Sequence, residues 1–323
     1  MSVPFIELFC GIGGFRLGLE QARGFDCVWA NDFDRHACQV YRKNFGDREL
    51  YEGDIHAVDA GSIPDHQLLT AGFPCQPFSV AGRRRGTSDP RGTLFGEVLR
   101  VLEAKRPQKV LLENVPGLLS IEGGETFAQI ILALGDVGYF VEWQVLDSQH
   151  FGVPQHRERV FIVGHLGGEP RRKVFPILGD GEEADEDGAV VRCLQGGGHS
   201  GGLHSRMTAV PVLTPDRPTK RQNGRRFKED GDPSFTLTGQ DIHGIMVANA
   251  VTDGWLMDTR HHSKPMCEYR IRRLTPTECE RLQGFPDGWT SGISDTQRYK
   301  CLGNAVTVNV IEFLGKRILE SFA

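Results

Sequence analysis

Short apolar runs alternate with stretches of helical period through the first half of the chain. Residues 4–9 (Pro-Phe-Ile-Glu-Leu-Phe) read as a short buried strand, followed by a glycine-rich turn and a helical pattern over 15–21. Residues 27–30 (Cys-Val-Trp-Ala) predict a second strand, and 34–45 a second helix with Asp34 near its start. Further strands are predicted at 68–71 and 109–112, with a helix over 94–104 between them. A helix over 126–134 and strands at 141–146 and 159–164 complete this half. Such alternation predicts an α/β fold, a mostly parallel sheet with helices on both faces.

The pattern changes after about residue 168. Residues 169–270 are rich in Gly, Pro, Asp and Arg, and their periodicity is weak. Within them, Gln195-Gly-Gly-Gly-His-Ser-Gly-Gly202 reads as a loop or flexible linker. The span predicts a second, smaller, loop-rich domain. Helical order returns at Thr275-Pro276-Thr277-Glu278, a capping-box pattern with proline at the first helical position. A last helix is predicted over 306–320, and there is no internal repeat.

Composition supports this division. A chain of 323 residues exceeds the usual single-domain size. Hydrophobic residues at 39% and charged residues at 24% suit a globular protein in water. No apolar run approaches the roughly 20 residues of a membrane span. Met1-Ser2-Val3-Pro4 does not open a signal peptide, so a cytoplasmic location is expected. The eight cysteines form no Cys-x-x-Cys pair and show no zinc-ligand spacing. They read as reduced thiols, most of them acting as small buried hydrophobes. The eleven histidines form no metal constellation, and no metal is expected.

The net charge of −5 argues at first against a nucleic-acid partner. Six acids lie in one run, residues 179–188, and setting them aside takes the balance to +1. The bases cluster at Arg83-Arg84-Arg85, Lys220-Arg221, Arg225-Arg226 and Arg270 with Arg272-Arg273. Clustered bases on a near-neutral body can form a basic face; scattered, solvated arginines would give the same composition.

Candidate chemistry gathers at the predicted strand ends. Phe9-Cys10-Gly11-Ile12-Gly13-Gly14 follows the first strand and opens a helix, and glycines there let the backbone turn and approach a ligand. Asp32 stands 21 positions after Gly11, a spacing that suits an acid bonded to ribose hydroxyls, and Asp54 is a later candidate. The run is neither a full Gly-x-Gly-x-x-Gly nor a P-loop. It fits an adenosine-bearing cofactor or, more plainly, a tight strand-to-helix turn. Cys75 sits just past a strand between Pro74 and Pro77, in a stiff loop at the end of the sheet where functional loops gather. Glu113 ends another apolar strand; burial of such a carboxyl favours its protonated form and lets it donate a proton near neutral pH. Arg157 and Arg159 alternate on entering a strand, so both face one side and are expected to converge on one acceptor or phosphate.

Taken in order, these segments resemble the cytosine-5 DNA methyltransferases over nearly the whole chain, except residues 170–270. Residues 9–14 resemble the family's S-adenosylmethionine loop, and Gly72 to Ser79 its Pro-Cys nucleophile motif. Arg91-Gly-Thr-Leu-Phe95 resembles the close of its mobile loop, Glu113-Asn114-Val115 the catalytic acid motif, and Gln155-x-Arg157-x-Arg159 the arginine motif. Arg273 to Pro286 is similar to the motif bracing the recognition domain, and Gly303-Asn304-Ala305-Val306 to the last motif beside the cofactor.

The resemblance implies a Rossmann-like methyltransferase sheet in a catalytic domain, 1–168 plus 295–323, with a target-recognition domain over 169–294. It implies S-adenosylmethionine held by Phe9, Gly11, Gly13, Gly14, Asp32, Phe33, Asp54, Ile55 and Asn304. It implies catalysis by Cys75, Glu113, Arg157 and Arg159, with Cys75 forming a covalent adduct on a flipped-out cytosine and an arginine holding the exocyclic oxygen. Gln76, Ser79, Arg83, Arg84, Arg85, Arg221, Arg225 and Thr236 are the expected contacts to double-stranded DNA. A monomeric modification enzyme of a restriction–modification system, associated with the nucleoid, is the expected setting. A tRNA methyltransferase on the same fold is the alternative, but its usual Cys-Phe-Thr run is absent here. An inactive DNA-binding protein is disfavoured by the intact Cys75, Glu113 and arginines. A small-molecule methyltransferase is disfavoured by the arginine motif and the long recognition region.

Overall fold

A computed structural model describes residues 2–74, 94–177, 209–213, 233–238, 243–248 and 269–322. The chain begins with β1 (Val3–Leu8), α1 (Gly14–Ala22), β2 (Phe25–Asp32), α2 (Arg35–Phe45) and β3 (Leu50–Glu52). It continues through β4 (Leu68–Gly72), α3 (Leu94–Lys105), β5 (Lys109–Asn114), α4 (Glu125–Asp136), β6 (Tyr139–Asp147) and β7 (Glu158–Leu166). These seven strands form one sheet in the order β3-β2-β1-β4-β5-β7-β6. Strands β1 to β5 are mutually parallel, and β7 runs antiparallel to both β5 and β6. The link between β6 and β7, residues 148–157, is too short for a crossover helix, so the chain turns straight back.

Alternation along β1 sends its side chains to two cores. Phe5 joins the layer under α1 and α7 (Val308–Glu320), with Leu19, Ile311, Leu314 and Ile318. Ile6 and Leu8 join the opposite layer, with Leu69, Ala71, Phe95, Val98, Leu102, Ile130 and Leu134 beneath α3 and α4. Helices α1 and α7 pack backbone to backbone: a Cβ on Gly18 would stand 2.6 Å from Cβ of Ile311, and one on Gly315 would stand 2.9 Å from Cβ of Ala22. The sequence did not predict α6 (Asp295–Asn304) and implied β3 only as an unbounded strand end near Asp54, and the last helix starts at Val308 rather than 306. Helix α6 is largely polar and buries only Cys301, Leu302 and Gly303, which leaves little apolar period to read.

The remaining strands, β8 (Ala209–Leu213), β9 (His243–Ala248) and β10 (Tyr269–Arg273), form an antiparallel sheet in the order β10-β9-β8. Helix α5 (Pro276–Leu282) follows with the predicted capping box: the Thr275 hydroxyl accepts from the Glu278 amide, and the Glu278 carboxylate from the Thr275 amide. After α5 the chain packs on the first half. Trp289 donates through Nε1 to the Ile12 carbonyl at 3.0 Å, and Lys43 donates to the Gly288 carbonyl at 2.7 Å. A third apolar cluster joins Leu237, Ile245 and Leu274 to Leu282, Phe285, Trp289, Leu302 and Val308. The five described cysteines, at 10, 27, 38, 279 and 301, are buried free thiols. Among the described residues no helix is long and apolar enough to cross a membrane.

Candidate active site

Strand order reverses between β1 and β4. The chain lays β2 and β3 to one side of β1, then β4 and β5 to the other. At such a switch point the loops leaving the two central strands diverge and open a crevice at the carboxyl edge. Leu8 pairs with Ala71, and Gly72 with Glu113. The loop after β1 and the stem leading to Cys75 therefore leave the sheet side by side. Phe73, at the base of that stem, is buried with its ring 5.3 Å from the Phe95 ring. Its carbonyl accepts from Nδ2 of the Asn114 side chain at 2.8 Å. Cys75, Gln76, Ser79, Arg83, Arg84 and Arg85 lie outside the described residues, as do Arg221 and Arg225.

Glu113 points over the base of the stem. A Cβ on Gly72 would lie 3.4 Å from its Oε2, so glycine at 72 leaves the carboxylate room. Its Oε1 stands 3.0 Å from Nε of Arg159, with both side chains about one-eighth exposed. The expected acid is thus held in an ion pair that reaches solvent at its edge. Arg159 also donates to the Glu158 carbonyl, leaving its second terminal nitrogen without a bond to the described residues.

The two arginines do not converge as the sequence predicted. Arg157 is 1% exposed, and its terminal nitrogens donate to the carbonyls of Leu237 at 2.6 Å, Gly303 at 3.0 Å and Ala305 at 2.8 Å. Its buried Nε has no partner among the described residues. Burial first, and then the charge of Arg159, push its pKa down to about 9, which leaves it cationic at neutral pH. A guanidinium already bound to three carbonyls is not free to hold a substrate oxygen. The correction follows from what alternation implies: shared facing on a strand does not mean a shared acceptor. Here Arg157 meets the returning chain while Arg159 meets β5.

Around Arg157 lies a buried polar network that the sequence did not announce. Gln155 Oε1 accepts from the Leu237 amide at 2.7 Å, and its Nε2 donates to the Leu282 carbonyl at 3.1 Å. Gln283 donates to the Leu302 carbonyl at 2.7 Å and accepts from the Thr307 hydroxyl at 2.9 Å. Thr236, an expected DNA contact, is partly buried and donates to the His156 carbonyl at 2.6 Å. Asn114, Gln155, Gln283 and Thr307 were not singled out from the sequence. Asn114, Gln155 and Gln283 stood inside quoted motifs, which was the available signal; Thr307 did not.

The glycine run after β1 is held in a ligand-facing shape. Phe9, Gly11 and Gly13 have φ of 56°, 55° and 81°. A Cβ on Gly11 would meet nothing within 4 Å, so its positive φ opens free space above the loop. Gly14 instead allows a close approach: a Cβ there would stand 2.8 Å from Val306, which sets the turn after Asn304 against this loop. Asp32, at the end of β2, accepts from the Gly11 amide at 2.7 Å and the Asp34 amide at 2.8 Å. Burial raises its pKa, partly offset by those amides. Each oxygen keeps a further lone pair. Next to it, the Phe33 ring is 70% exposed, an unusual surplus for a large apolar side chain.

Asn31 donates to the carbonyls of Tyr51 at 3.1 Å and Gly53 at 2.8 Å, fixing the approach to exposed Asp54 and buried Ile55. Asn304 is exposed at the end of α6. Beneath the loop, Glu7 is fully buried, and burial raises its pKa well above the usual carboxylate range, against the opposing effects of Arg16 and the Phe15 amide.

One cluster departs from the expectation of no histidine-containing metal group. Ligand atoms of Asp147, His156 and Glu158 lie within 4.8 Å of one another. The Asp147 carboxylate is already engaged, accepting from the amides of Gln149 and Arg157 and from the Gln149 side chain, and bonded to Nδ1 of His156.

The profile of the C-5 cytosine-specific DNA methylases matches residues 3–320. The chain belongs to this family. Among relatives of the methylase, the Type II methyltransferase M.DsaV of Dactylococcopsis salina is 37% identical over 332 residues, covering 99% of this chain and 86% of the relative. M.NlaX of Neisseria lactamica is 38% identical, covering 97% and 95%. M.HhaI of Haemophilus parahaemolyticus is 32% identical, covering 99% and 95%. Among solved structures, the S. pombe Dnmt2 methyltransferase superposes with a TM-score of 0.71 at 23% identity, over 99% of each chain, which supports the fold. The methylase is accordingly a DNA cytosine-5-methyltransferase with a Rossmann-like sheet.

Proposed function

We propose that this methylase transfers a methyl group from S-adenosylmethionine to carbon 5 of a flipped-out cytosine in double-stranded DNA, through a covalent adduct on Cys75. The observation that carries the reading is the Glu113–Arg159 pair above Gly72, one strand from the stem that leads to Cys75.

The loop after β1 fits an adenosine-bearing cofactor. It has open space above Gly11, an exposed ring at Phe33 and acids at Asp32 and Asp54. Phe9, Gly11, Gly13, Gly14, Asp32, Phe33, Asp54, Ile55 and Asn304 would hold the cofactor. When bound, S-adenosylmethionine supplies an electrophilic methyl group.

Carbon 5 of cytosine is a weak nucleophile. The Cys75 thiolate adds to carbon 6, and the ring becomes an enamine whose carbon 5 can attack that methyl group. Glu113 bonds ring nitrogen 3, where electron density accumulates. Arg159 holds Glu113 and offers its remaining donors to the exocyclic oxygen. Loss of the carbon-5 proton to a base then reforms the ring double bond and releases the thiolate. The stacked duplex hides these atoms, so the target base must leave the helix. Thr236 and the basic residues Arg83, Arg84, Arg85, Arg221 and Arg225 are proposed to meet the DNA, with phosphates as the main acceptors.

The recognition region is taken as 169–274. Helix α5 and the turn after it are assigned to the catalytic body, because Trp289 and Gly288 bond to the first half of the chain. The Type II names of the relatives are consistent with a restriction–modification setting, and the methylase is proposed to act as a monomer on DNA in the cytoplasm.

Incubating genomic DNA with enzyme and cofactor, then sequencing 5-methylcytosine, is expected to reveal one short target motif. Methylation of tRNA with none on DNA would reject the reading. A duplex carrying 5-fluorocytosine at that target should trap wild type covalently and fail to trap Cys75→Ala. Normal turnover without trapping would reject the adduct.

A further inference from the structure

The arginine that does not face the substrate joins two sites. Arg157 donates through one nitrogen to the Leu237 carbonyl and through the other to the carbonyls of Gly303 and Ala305. Leu237 follows Thr236, on the segment proposed to meet DNA. Gly303 and Ala305 flank Asn304, on the turn that Val306 sets against the cofactor loop. The bonds to Leu237 and Gly303 are buried and the one to Ala305 partly so, and each side is doubled by a neighbour in the same network. Gln155 grips the Leu237 amide, and Gln283, bonded to Gln155, grips the carbonyls of Leu302 and Ala305. The recognition segment is fastened further through the Ser234–His156 backbone pair and the Thr236 hydroxyl.

A planar, always-charged fork can span two carbonyl groups in fixed directions, which a single ammonium cannot. Shifting either segment therefore strains bonds to the other. In low-dielectric surroundings, leaving a guanidinium donor unpaired is costly, so the two segments move together or not at all.

We propose that Arg157 is a positioning residue that couples the recognition segment 233–238 to the Asn304 turn, so that cofactor and target DNA each tighten the binding of the other. The proposal rests on the assignment of those two segments to DNA and cofactor. By linkage, the coupling factor must be the same measured from either ligand.

The test uses the full-length enzyme, S-adenosylhomocysteine as the cofactor probe, and a duplex carrying the mapped target. In wild type, the duplex is expected to tighten S-adenosylhomocysteine binding by about 5-fold or more, within the usual range of allosteric coupling. Arg157→Lys keeps the charge but loses the fork, and is expected to bring the factor close to one. Gln155→Met, which frees the Leu237 amide and leaves Arg157 in place, should reduce it partway. A coupling factor near one in wild type, or one unchanged in Arg157→Lys, overturns the proposal.

Hydrogen exchange on wild type alone guards against poorly folded variants. S-adenosylhomocysteine is expected to slow exchange in peptides covering 9–14, 302–306 and also 233–238. Protection of the first two without the third overturns the coupling and leaves the cofactor site standing. Protection of none overturns the cofactor assignment and the coupling with it.

Discussion

At the residue scale, the site is a set of polar groups each held by a specific neighbour. Glu113 is kept in place by Arg159 rather than by apolar walls, and its proposed role is to present a fixed carboxyl to the ring nitrogen. Glu113→Gln preserves shape and removes the proton transfer and charge. It is expected to lower kcat by about 100- to 10,000-fold while S-adenosylhomocysteine affinity, measured by calorimetry, stays near wild type. Glu7 behaves differently. Burial raises its pKa, so the folded protein holds a proton that the unfolded chain releases above about pH 4.3. The native state then binds more protons, and stability falls as pH rises from there toward the folded pKa. Glu7→Gln removes that dependence. Urea unfolding is expected to show the variant gaining on wild type as pH increases over this window; a constant difference would place the ionised form in the native protein.

At the scale of elements, two features hold the frame that carries these residues. Helix α1 lies on α7 through Gly18, where any side chain meets Ile311 and the Val308 carbonyl. Gly18→Ala is expected to cost about 1–3 kcal/mol, as overpacking does elsewhere, and to lower Tm in calorimetry. Helix α5 depends on its capping box and on the Arg272–Glu278 pair. Thr275→Ala is expected to cost about 1 kcal/mol. Burial alone would raise the Glu278 pKa, but bonds from Arg272 and Thr275 hold it below the usual range. Its contribution is therefore present above the unfolded pKa and is lost as pH falls through the folded one. Elements with strong local signals were legible in advance: the capping box, the Asp34 cap of α2 and the apolar runs of β4 and β5. Helix α6 was not, and the bounds of strand β3 were not, because a polar helix and a three-residue edge strand carry little apolar period.

At the scale of the whole molecule, the chain ends where it began. Helix α7 fills the layer over β1 and α1, and the turn before it touches the glycine loop after β1. Deleting residues 306–323 would remove Val308, Val310, Ile311, Leu314 and Ile318 together and uncover Phe5, Phe15 and Leu19 of the same cluster. The truncated protein is expected to lose its cooperative thermal transition, as followed by circular dichroism, rather than to show a modest shift. The same return path brings Gly303 and Ala305 to Arg157 and gives the two proposed ligand sites a common support.

The sequence by itself determined the α/β class, the strand-end placement of Phe9–Gly14, Asp32 and Glu113, and the family resemblance. These follow from local period and short spacing, which survive without knowing what packs on what. Tertiary structure alone decided which arginine meets Glu113. Arg157 and Arg159 are identical in type and face the same way from their strand. Only the positions of β5, of the Leu237 segment and of the chain at the end of α6, all far away in sequence, assign one to the carboxylate and the other to three carbonyls.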